Sequence, residues 1–333
     1  NRFNPGNNSF TRYNRETLND AFIDDWVYTI HEDQKGNFWV GTAAGGLNLF
    51  DRDKESFTHF RNDPHDSSSI SNNRVLSLLE TRSGDIWIGT ALGLNKLINP
   101  KKDRNDFSFN RYYQSDGLPN DVIYGILEDD SGNLWISTNN GLCKIIFEAD
   151  NFKVRKFDVT DGLQANEFDQ NSFCKGPGGK MYFGGINGFN VFHPDSVKDN
   201  PYIPPVVITD FKILNESVPI ANKISVSQRN SYLGSFFLNK SISETDTILL
   251  SYRDDVISIE FAALNYTVPE KNQYAYMMEG FDKEWIYSGV RRFVTYTNLD
   301  AGQYVFRVMA SNNDGVWNEE GTSLTIIVFP PPW

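Results

Sequence analysis

The chain has 333 residues, a formal net charge of −12 and an aromatic content of 14%. This length accommodates two or three domains with cores of their own. The acidic balance argues against a nucleic-acid partner, whose phosphate backbone needs a basic surface. It also disfavours a strongly anionic polysaccharide, although a local basic cluster could still bind one. No apolar run approaches the ~20 residues that a membrane-spanning helix needs.

The first residues align with the middle of a repeat that recurs further along the chain. Asn1-Arg2-Phe3-Asn4-Pro5 matches Asn95–Pro100 and Asn48–Asp51, which follow a Gly-Leu turn. We therefore expect residue 1 to lie in the third strand of an earlier repeat unit. The expectation that follows is a longer native protein with more units upstream. The units present here would then form an open arc or associate with another copy.

The repeat is marked by three tryptophans, Trp39, Trp87 and Trp135, at intervals of 48 residues. Each lies in nearly the same phrase: Gly36-Asn-Phe-Trp39-Val-Gly-Thr42, Gly84-Asp-Ile-Trp87-Ile-Gly-Thr90 and Gly132-Asn-Leu-Trp135-Ile-Ser-Thr138. A degraded fourth copy reads Gly179-Lys-Met-Tyr182-Phe-Gly-Gly185. A period of this length is typical of a stacked or radial array of one supersecondary unit.

Short alternating runs around each tryptophan predict four strands per unit, separated by turns rich in Gly, Asn and Asp. Four strands in roughly 40–50 residues form the blade of a β-propeller. The fold class predicted for residues 1–198 is therefore a partial β-propeller of four four-stranded blades plus a fragment of a preceding blade. The recurring tryptophans are expected to be buried between blades rather than to stack on sugars.

Polar residues in the blades give no convergent catalytic or metal-binding pattern. The acids Asp33, Asp85 and Asp129 lie beside tight turns, where Asp favours local hydrogen bonds. The four histidines are scattered without ligand spacing. We therefore predict no catalytic residue, no metal and no cofactor. The two cysteines, Cys143 and Cys174, are expected to be buried thiols outside any disulfide.

After Pro201-Tyr-Ile-Pro204-Pro205 the repeat ends and a second all-β pattern begins. Six or seven short strands in about 130 residues predict an immunoglobulin- or fibronectin-like sandwich over residues 199–329. The strands are expected at Val206–Leu214, Val256–Leu264, Tyr274–Met278, Phe293–Thr297, Gln303–Ala310 and Leu324–Phe329. Tyr304 is expected to form a tyrosine corner with backbone near Leu299–Gly302.

The chain ends in Phe329-Pro-Pro-Pro-Trp333. A proline run ends strand pairing, and a terminal Trp suits a membrane interface. Composition alone leaves that interpretation and a plain linker equally open.

These motifs resemble a known family. The Gly-x-x-Trp phrases, with Asp116-Gly-Leu-Pro-Asn120 and Asp161-Gly-Leu163 between units, are similar to two-component regulator propeller repeats. The second region resembles the Y_Y_Y domain that follows such repeats. The residues that carry this second resemblance are Tyr274, Tyr276, Gly280, Phe281, Asp282, Trp285, Asn298, Gly302, Tyr304, Phe306, Asn312 and Trp317. Together the two resemblances cover almost the entire chain.

The resemblance implies the periplasmic sensor region of a hybrid two-component system from gut Bacteroidetes. Residues 330–333 would then begin the linker to a transmembrane helix outside this chain, which places the membrane next to the sandwich. A histidine kinase, a receiver and a DNA-binding domain would follow, so that no enzymatic activity belongs to this piece. The implied ligand is an oligosaccharide released from a complex glycan, and the implied receptor is a homodimer that controls polysaccharide-utilisation genes.

The ligand is expected at the propeller face that carries the outer-to-inner connections and the turns between second and third strands, because loops vary while blades hold them. The candidate residues are Asp25, Trp26, Asn73, Arg74, Asn120, Asp121, Asn139, Asn140 and Asn187. Their amide, carboxylate, guanidinium and indole groups suit sugar hydroxyls and apolar ring faces. Two alternatives stay open: a propeller-based lyase or glycosidase, and a purely structural adhesion module.

Overall fold

The computed structural model describes residues 1–13, 24, 26–98, 107–148, 151–221 and 237–332. The chain divides into two compact units, Asn1–Val197 and Lys198–Trp333. Both units are built almost wholly from β-strands, and this confirms the predicted fold class. No helix in these described ranges is long and apolar enough to cross a membrane.

The first unit is a series of antiparallel sheets in chain order. A two-stranded hairpin, β1 (Arg2–Asn4) and β2 (Ser9–Thr11), precedes them. Sheet 1 contains β3 (Val27–Glu32), β4 (Phe38–Thr42), β5 (Leu47–Asp51) and β6 (Ser56–Phe60). Sheet 2 contains β7 (Val75–Glu80), β8 (Ile86–Thr90), β9 (Gly93–Ile98) and β10 (Ser108–Tyr112). Sheet 3 contains β11 (Ile123–Glu128), β12 (Leu134–Thr138), β13 (Gly141–Phe147) and β14 (Phe152–Phe157).

Sheet 4 departs from the prediction of four strands per blade. It contains only β15 (Phe168–Lys175), β16 (Met181–Gly185) and β17 (Gly188–Phe192). After β17 the chain enters a 3-10 turn at Pro194–Ser196, with His193 accepting a hydrogen bond from the Asp195 N–H. Because proline cannot donate a ladder hydrogen bond, this turn replaces the loop that leads to an outer strand in the other sheets.

The tryptophans of the repeat are buried between neighbouring sheets, as predicted. Trp39 packs in one core cluster with Ile86 and Ile88 of sheet 2. Trp87 packs with Ile126 and Ile136 of sheet 3, and Trp135 packs with Phe168 and Phe183 of sheet 4. All three indoles are at most 3% exposed. The inner strands β3, β7, β11 and β15 also contact one another in order, as blades about a common axis do.

A buried aspartate shapes the first hairpin turn of sheets 1 and 3. Asp129 accepts hydrogen bonds from the backbone N–H groups of Ser131 and Asn133 and from the indole of Trp135. Asp33 holds the turn of sheet 1 in the same way. The acids therefore have the structural role that the sequence predicted.

Asp85 also lies beside the hairpin turn of its sheet, where its Oδ2 accepts the Ser83 hydroxyl at 3.3 Å, but it does not occupy the position of these two acids. In sheet 2 the equivalent position holds Thr81, whose hydroxyl accepts a hydrogen bond from the Asp85 N–H. The side chain of Asp85 is 45% exposed and forms an ion pair with Lys96 at 3.0 Å. The buried acid thus recurs in sheets 1 and 3, and a threonine replaces it in sheet 2.

A second carboxylate, at the end of the inner strand, joins each hairpin to the next sheet. Glu80 of sheet 2 accepts the Gln34 N–H of sheet 1 at 3.0 Å. Glu128 of sheet 3 accepts the Arg82 N–H of sheet 2 at 2.9 Å. These bonds give the hairpin of one sheet a fixed partner on its neighbour.

Neither cysteine forms a disulfide. Cys143 is fully buried in the core between sheets 2 and 3, as predicted, and burial raises the pKa of its thiol to about 12. Cys174 was predicted to be buried but is exposed. It lies on β15, the inner strand of sheet 4, and no fifth propeller sheet follows sheet 4 in the described chain to cover that face.

The second unit is a two-sheet sandwich. One sheet has the order β19 (Glu216–Ser217), β18 (Val206–Ile213), β21 (Val256–Ala263) and β24 (Phe293–Thr297). The other has the order β20 (Thr247–Ser251), β26 (Trp317–Phe329), β25 (Gly302–Ser311), β22 (Gln273–Glu279) and β23 (Ile286–Gly289). Each of the six predicted strands is present within a few residues, except that β26 begins at Trp317 rather than near Leu324. The short strands β19, β20 and β23 were not predicted.

Aromatic residues of the Y_Y_Y motif form the core of the sandwich. Tyr274, Tyr276 and Phe306 surround Phe261, with ring centroids 5.5–6.1 Å from it. The Tyr274 hydroxyl accepts the Ala263 N–H at 3.2 Å. Large buried rings with partnered hydroxyl groups stabilise a core without leaving a polar atom unsatisfied.

The predicted tyrosine corner is present. Tyr304 lies at the start of β25, and its hydroxyl donates to the carbonyl oxygen of Asp300 at 3.1 Å. Asp300 is within the Leu299–Gly302 stretch that the sequence indicated. The bond fixes the chain where it turns into β25.

Candidate functional site

The loop end of the propeller unit is the end at which each inner strand begins. It carries the entry segments 26–27, 72–75, 120–123 and 165–168, and the turns 42–46, 90–93, 138–141 and 185–188. Backbone bonds hold entry segment and turn together: the Ala43 N–H donates to Trp26 O at 2.9 Å, and the Ala91 N–H donates to Arg74 O at 3.0 Å. The two sets of loops therefore share one face, as the sequence predicted.

A recurring backbone hydrogen bond also joins each of these turns to the start of the next sheet. The Gly46 N–H donates to Asn73 O at 2.9 Å, and the Gly93 N–H donates to Asp121 O at 2.6 Å. Gly46 has φ +84°, and a Cβ there would lie 2.3 Å from the carbonyl oxygen of Phe60. Only glycine fits such a turn without displacing backbone, so the loop end has a firm frame.

Two of the candidate side chains are engaged within their own loops. The Asn73 Oδ1 accepts the Asn62 N–H at 2.7 Å, and the Asp121 Oδ1 accepts the Gln114 N–H at 2.6 Å. Asn166 occupies the same position in sheet 4, and its Oδ1 accepts the Val159 N–H at 3.0 Å. These oxygens fold the connecting loops and keep only their remaining lone pairs for a ligand.

The other amide candidates are spread along the rim of the loop end. The Asn120 Oδ1 accepts the Val122 N–H at 2.9 Å. Asn139 and Asn140 are exposed on the turn of sheet 3. Asn187 donates through its backbone N–H and its amide to Gln164, at 2.7 and 3.1 Å. Asp25 lies outside the described residues.

Trp26 is the most exposed aromatic candidate, at 71%. Its backbone is nevertheless fixed, because its N–H donates to Asp24 Oδ1 at 3.1 Å and Asp24 Oδ2 accepts the Ala44 N–H. A large apolar ring held outward on an ordered backbone is suited to stack on the apolar face of a ligand.

A cluster of aromatic and charged side chains surrounds the first residues of the inner strands. The Arg74 guanidinium lies 5.6 Å from the centre of the Tyr28 ring. Burial raises the pKa of Tyr124, Glu167 and Asp169 raise it further, and Arg74 opposes them. We call Tyr28, Arg74, Tyr124, Glu167 and Asp169 the axial cluster.

Tyr28, Tyr124 and Asp169 of the axial cluster were missed from the sequence. Tyr28 and Tyr124 directly follow the first strand residue, Val27 and Ile123. Glu167 and Asp169 flank Phe168 at the start of β15. The available signal was the register of the inner strands, which places these side chains beside the first strand residues Val27, Ile123 and Phe168.

The loop end offers groups that bind polyhydroxylated ligands. A guanidinium donates in a fork, and carboxylates accept from paired hydroxyl groups. Indole and phenol rings cover apolar C–H faces. Convergent polar groups beside aromatic surface are the usual composition of a small-molecule site.

The histidines take part in local contacts. His31 Nε2 lies 3.4 Å from Glu80 Oε2, and His59 Nδ1 lies 2.5 Å from Asn48 Oδ1. Within the described part of the chain, no group of three or more His, Cys, Asp or Glu side chains could hold a metal ion.

Two sequence families match this chain in the expected order. The two-component regulator propeller family matches residues 21–44, 69–91 and 117–140. The Y_Y_Y domain family matches residues 265–329. The architecture is therefore that of a propeller array joined to a Y_Y_Y sandwich.

Two relatives extend this assignment. Histidine kinase P4 from Formosa agariphila is 40% identical over 177 residues, which is 53% of this chain and 12% of that protein. The crystal structure of the extracellular domain of the hybrid two-component system BT3049 from B. thetaiotaomicron is 26% identical, with a TM-score of 0.76. That alignment covers 96% of this chain and 40% of the solved chain. The chain thus spans less than half of either relative.

Proposed function

We propose that this chain is part of the extracytoplasmic sensing region of a hybrid two-component histidine kinase. The observation that carries the proposal is the likeness of both units, in one alignment, to the extracellular domain of such a system. The order of propeller repeats and Y_Y_Y domain and the histidine kinase relative support the same class. Kinase activity would then reside in another part of the whole protein, and the chain itself would lie in the periplasm.

The proposed ligand is an oligosaccharide bound at the loop end. Support comes from the exposed indole of Trp26 and from the axial cluster, which places one guanidinium, two carboxylates and two phenol rings around the inner strands. Binding alone does not signal, because a ligand shifts an equilibrium only through different affinities for two states. We therefore also propose that ligand binding favours one arrangement of a homodimeric receptor, which controls polysaccharide-utilisation genes.

Calorimetric titration with a panel of defined oligosaccharides tests the ligand class, with chromatography of the titrated sugar afterwards. Uptake of one oligosaccharide family, with the sugar recovered intact, is the expected result. Recovery of shortened or unsaturated products would instead indicate a propeller-based lyase or glycosidase. Absence of uptake across the panel would contradict an oligosaccharide site in this chain.

Matched variants locate the site. Arg74→Gln removes the guanidinium from the axial cluster, whereas Arg155→Gln removes one from the outer strand β14 of sheet 3. We expect the first variant to lower the binding affinity for the oligosaccharide at least tenfold, because a charge-assisted hydrogen bond contributes about 1.5–3 kcal/mol. The second should leave it unchanged. Equal effects of the two variants would place the ligand elsewhere.

A further inference from the structure

The turn between β25 and β26 holds the segment through which the chain enters the sandwich. Asn312 is fully buried in this turn. Its Nδ2 donates to the carbonyl oxygens of Asn200 and Tyr202, at 2.7 and 2.8 Å. Its Oδ1 accepts the backbone N–H groups of Asp314 and Val316, at 2.9 and 3.0 Å. One amide thus shapes its own turn and also fixes the entering segment.

Neighbouring side chains strengthen this hold. The Asn200 N–H donates to Asp314 Oδ2 at 2.6 Å, and its Nδ2 donates to Asn313 Oδ1 at 3.1 Å and to Asn265 Oδ1 at 3.3 Å. Asn265 in turn donates to Asn272 Oδ1 at 2.9 Å. We call Asn265, Asn272, Asn312, Asn313 and Asn318 the amide clamp.

The last member of the clamp lies on β26 itself. Asn318 Nδ2 donates to the carbonyl oxygen of Pro204 at 2.9 Å, and Asn318 Oδ1 accepts the Gly321 N–H at 3.0 Å. Pro204 is buried although it belongs to no strand. The entering segment is therefore attached to the final strand at two places, the Asn312 turn and Asn318.

The clamp is built as a rigid connection. Asn265, Asn272 and Asn312 are at most 3% exposed, and each has hydrogen-bond partners. Buried polar networks with every group partnered specify one arrangement, because breaking a single bond leaves an unsatisfied group in a poorly solvated site. Segment 200–204 carries no ladder of its own, so these side chains fix its position.

The strand that begins at this turn runs the length of the sandwich. β26 extends from Trp317 to Phe329, pairs with β25 and lies parallel to β20. Its thirteen residues include a bulge between Asn318 and Thr322, where Gly321 has φ +59°, and at ~3.3 Å each they span at most about 43 Å. We infer that the amide clamp couples segment 200–204 to β26, so that a displacement of the entering segment is delivered to the strand by which the chain leaves the sandwich.

This inference concerns the second unit alone and does not depend on what the loop end binds. It gives a role to Asn312, a motif residue that neither a ligand site nor the aromatic core requires. Contiguous hydrogen bonds connect the segment to β26, and coupling along them requires that both ends respond together to one change.

Hydrogen exchange of the whole chain, read by mass spectrometry, tests the coupling. Asn312→Asp keeps an oxygen for the Asp314 and Val316 N–H groups and removes both donors to the entering segment. We expect exchange at least tenfold faster in peptides covering 199–205 and in the first half of β26, 317–323, with β18 and β21 unchanged. Asn239→Ala, at an exposed asparagine of the same unit, serves as control and should change neither region.

Two outcomes overturn the inference. Faster exchange in 199–205 without a change in 317–323 would show that the clamp anchors the segment and does not couple it to β26. Unchanged exchange in both would show that the clamp holds neither. If Asn312→Asp unfolds the sandwich, Asn318→Asp replaces it, because that substitution removes the donor to Pro204 O and keeps an oxygen for the Gly321 N–H. Faster exchange in both 199–205 and 317–323, by a smaller factor, is then expected. If the two regions do not respond together, the inference is wrong.

Discussion

The indole N–H of Trp135 donates to a carboxylate oxygen of Asp129, six residues earlier in the chain, at 3.1 Å. Trp39 makes the same bond to Asp33 at 3.0 Å. Each bond ties the buried ring that joins two sheets to the hairpin turn of its own sheet. One Asp–Trp pair in the repeated phrase therefore stabilises both the hairpin turn and the packing between neighbouring sheets.

Asp129→Ala is expected to destabilise the propeller unit by about 3 kcal/mol, because buried donors each cost about 1–3 kcal/mol when left unsatisfied. Asp85→Ala is the matched control, since its half-exposed ion pair with Lys96 contributes at most about 1 kcal/mol. Urea denaturation measures both. Similar losses in the two variants would contradict the distinct role of the buried acid.

Trp87→Ala should cost roughly 3–5 kcal/mol, as other large-to-small changes in a core do. Its ring is 3% exposed and packs against sheet 3. The denaturation midpoint checks this expectation, with Phe147→Ala, at a 44% exposed ring, as the milder comparison. An unchanged denaturation midpoint for Trp87→Ala would contradict the placement of that ring in the core.

Stability is expected to fall at acid pH through Asp33 and Asp129. Burial alone would raise the pKa of each carboxyl group, but hydrogen bonds from Trp39 and Asn37, or from Asn133 and Trp135, outweigh it and lower the pKa. The unfolded chain then takes up protons near the ordinary pKa of about 3.9, before the folded chain does. The stabilisation is present above that value and is lost as the pH falls through the lower folded pKa. Urea midpoints between pH 6 and pH 3 should drop less steeply for an Asp33→Asn, Asp129→Asn double variant than for the wild type.

Trp26→Ala should weaken oligosaccharide uptake at least tenfold without changing the urea midpoint, because the ring is 71% exposed. Calorimetry and denaturation separate the two effects. Leu249→Ala, at a 49% exposed position on the sandwich, should change neither. A lower midpoint together with weaker binding would show that Trp26 supports the fold rather than the ligand.

Tyr304→Phe removes the hydroxyl that donates to Asp300 O and keeps the ring. The expected loss is about 1 kcal/mol, the usual net value of one such bond. Tyr287→Phe, at a 70% exposed tyrosine of β23, is the control and should be neutral. A neutral Tyr304→Phe would mean that the corner contributes nothing to the sandwich.

Thiol titration of the native chain should label one cysteine. Cys174 is exposed, whereas Cys143 is buried and its pKa is raised to about 12. The second thiol should react only after denaturant is added. A Cys174→Ser variant that still reacts in the native state would show that the core around Cys143 opens.

Local patterns in the sequence predicted those features that depend on residues near one another in the chain. The Trp phrase predicted the sheets, and the stretch around Tyr304 predicted its hydrogen bond. The burial of Cys174 was predicted wrongly because its exposure depends on which sheet covers β15, and periodicity within the strand carries no such information. The three-stranded form of sheet 4 depends on the Pro194 turn, which interrupts an otherwise regular repeat.

The candidate site was harder to predict for the same reason. Tyr28, Arg74, Tyr124 and Glu167 lie at the starts of the inner strands of four different sheets, and local patterns do not show how those sheets are arranged. Asn73 and Asp121 look like available polar side chains in the sequence, but each folds its own loop. Trp26 stands out in the sequence because the sister sheets have no tryptophan at the start of their inner strands, and its contact with a ligand stays a prediction.

The bonds from Gln34 to Glu80 and from Arg82 to Glu128 make neighbouring sheets depend on each other. A hairpin whose acceptor belongs to the following sheet loses that acceptor when the following sheet unfolds. Nearest-neighbour terms of this kind turn a row of repeats into a single cooperative folding unit. Sheets 1 to 3 should therefore melt together in one transition rather than fray one after another.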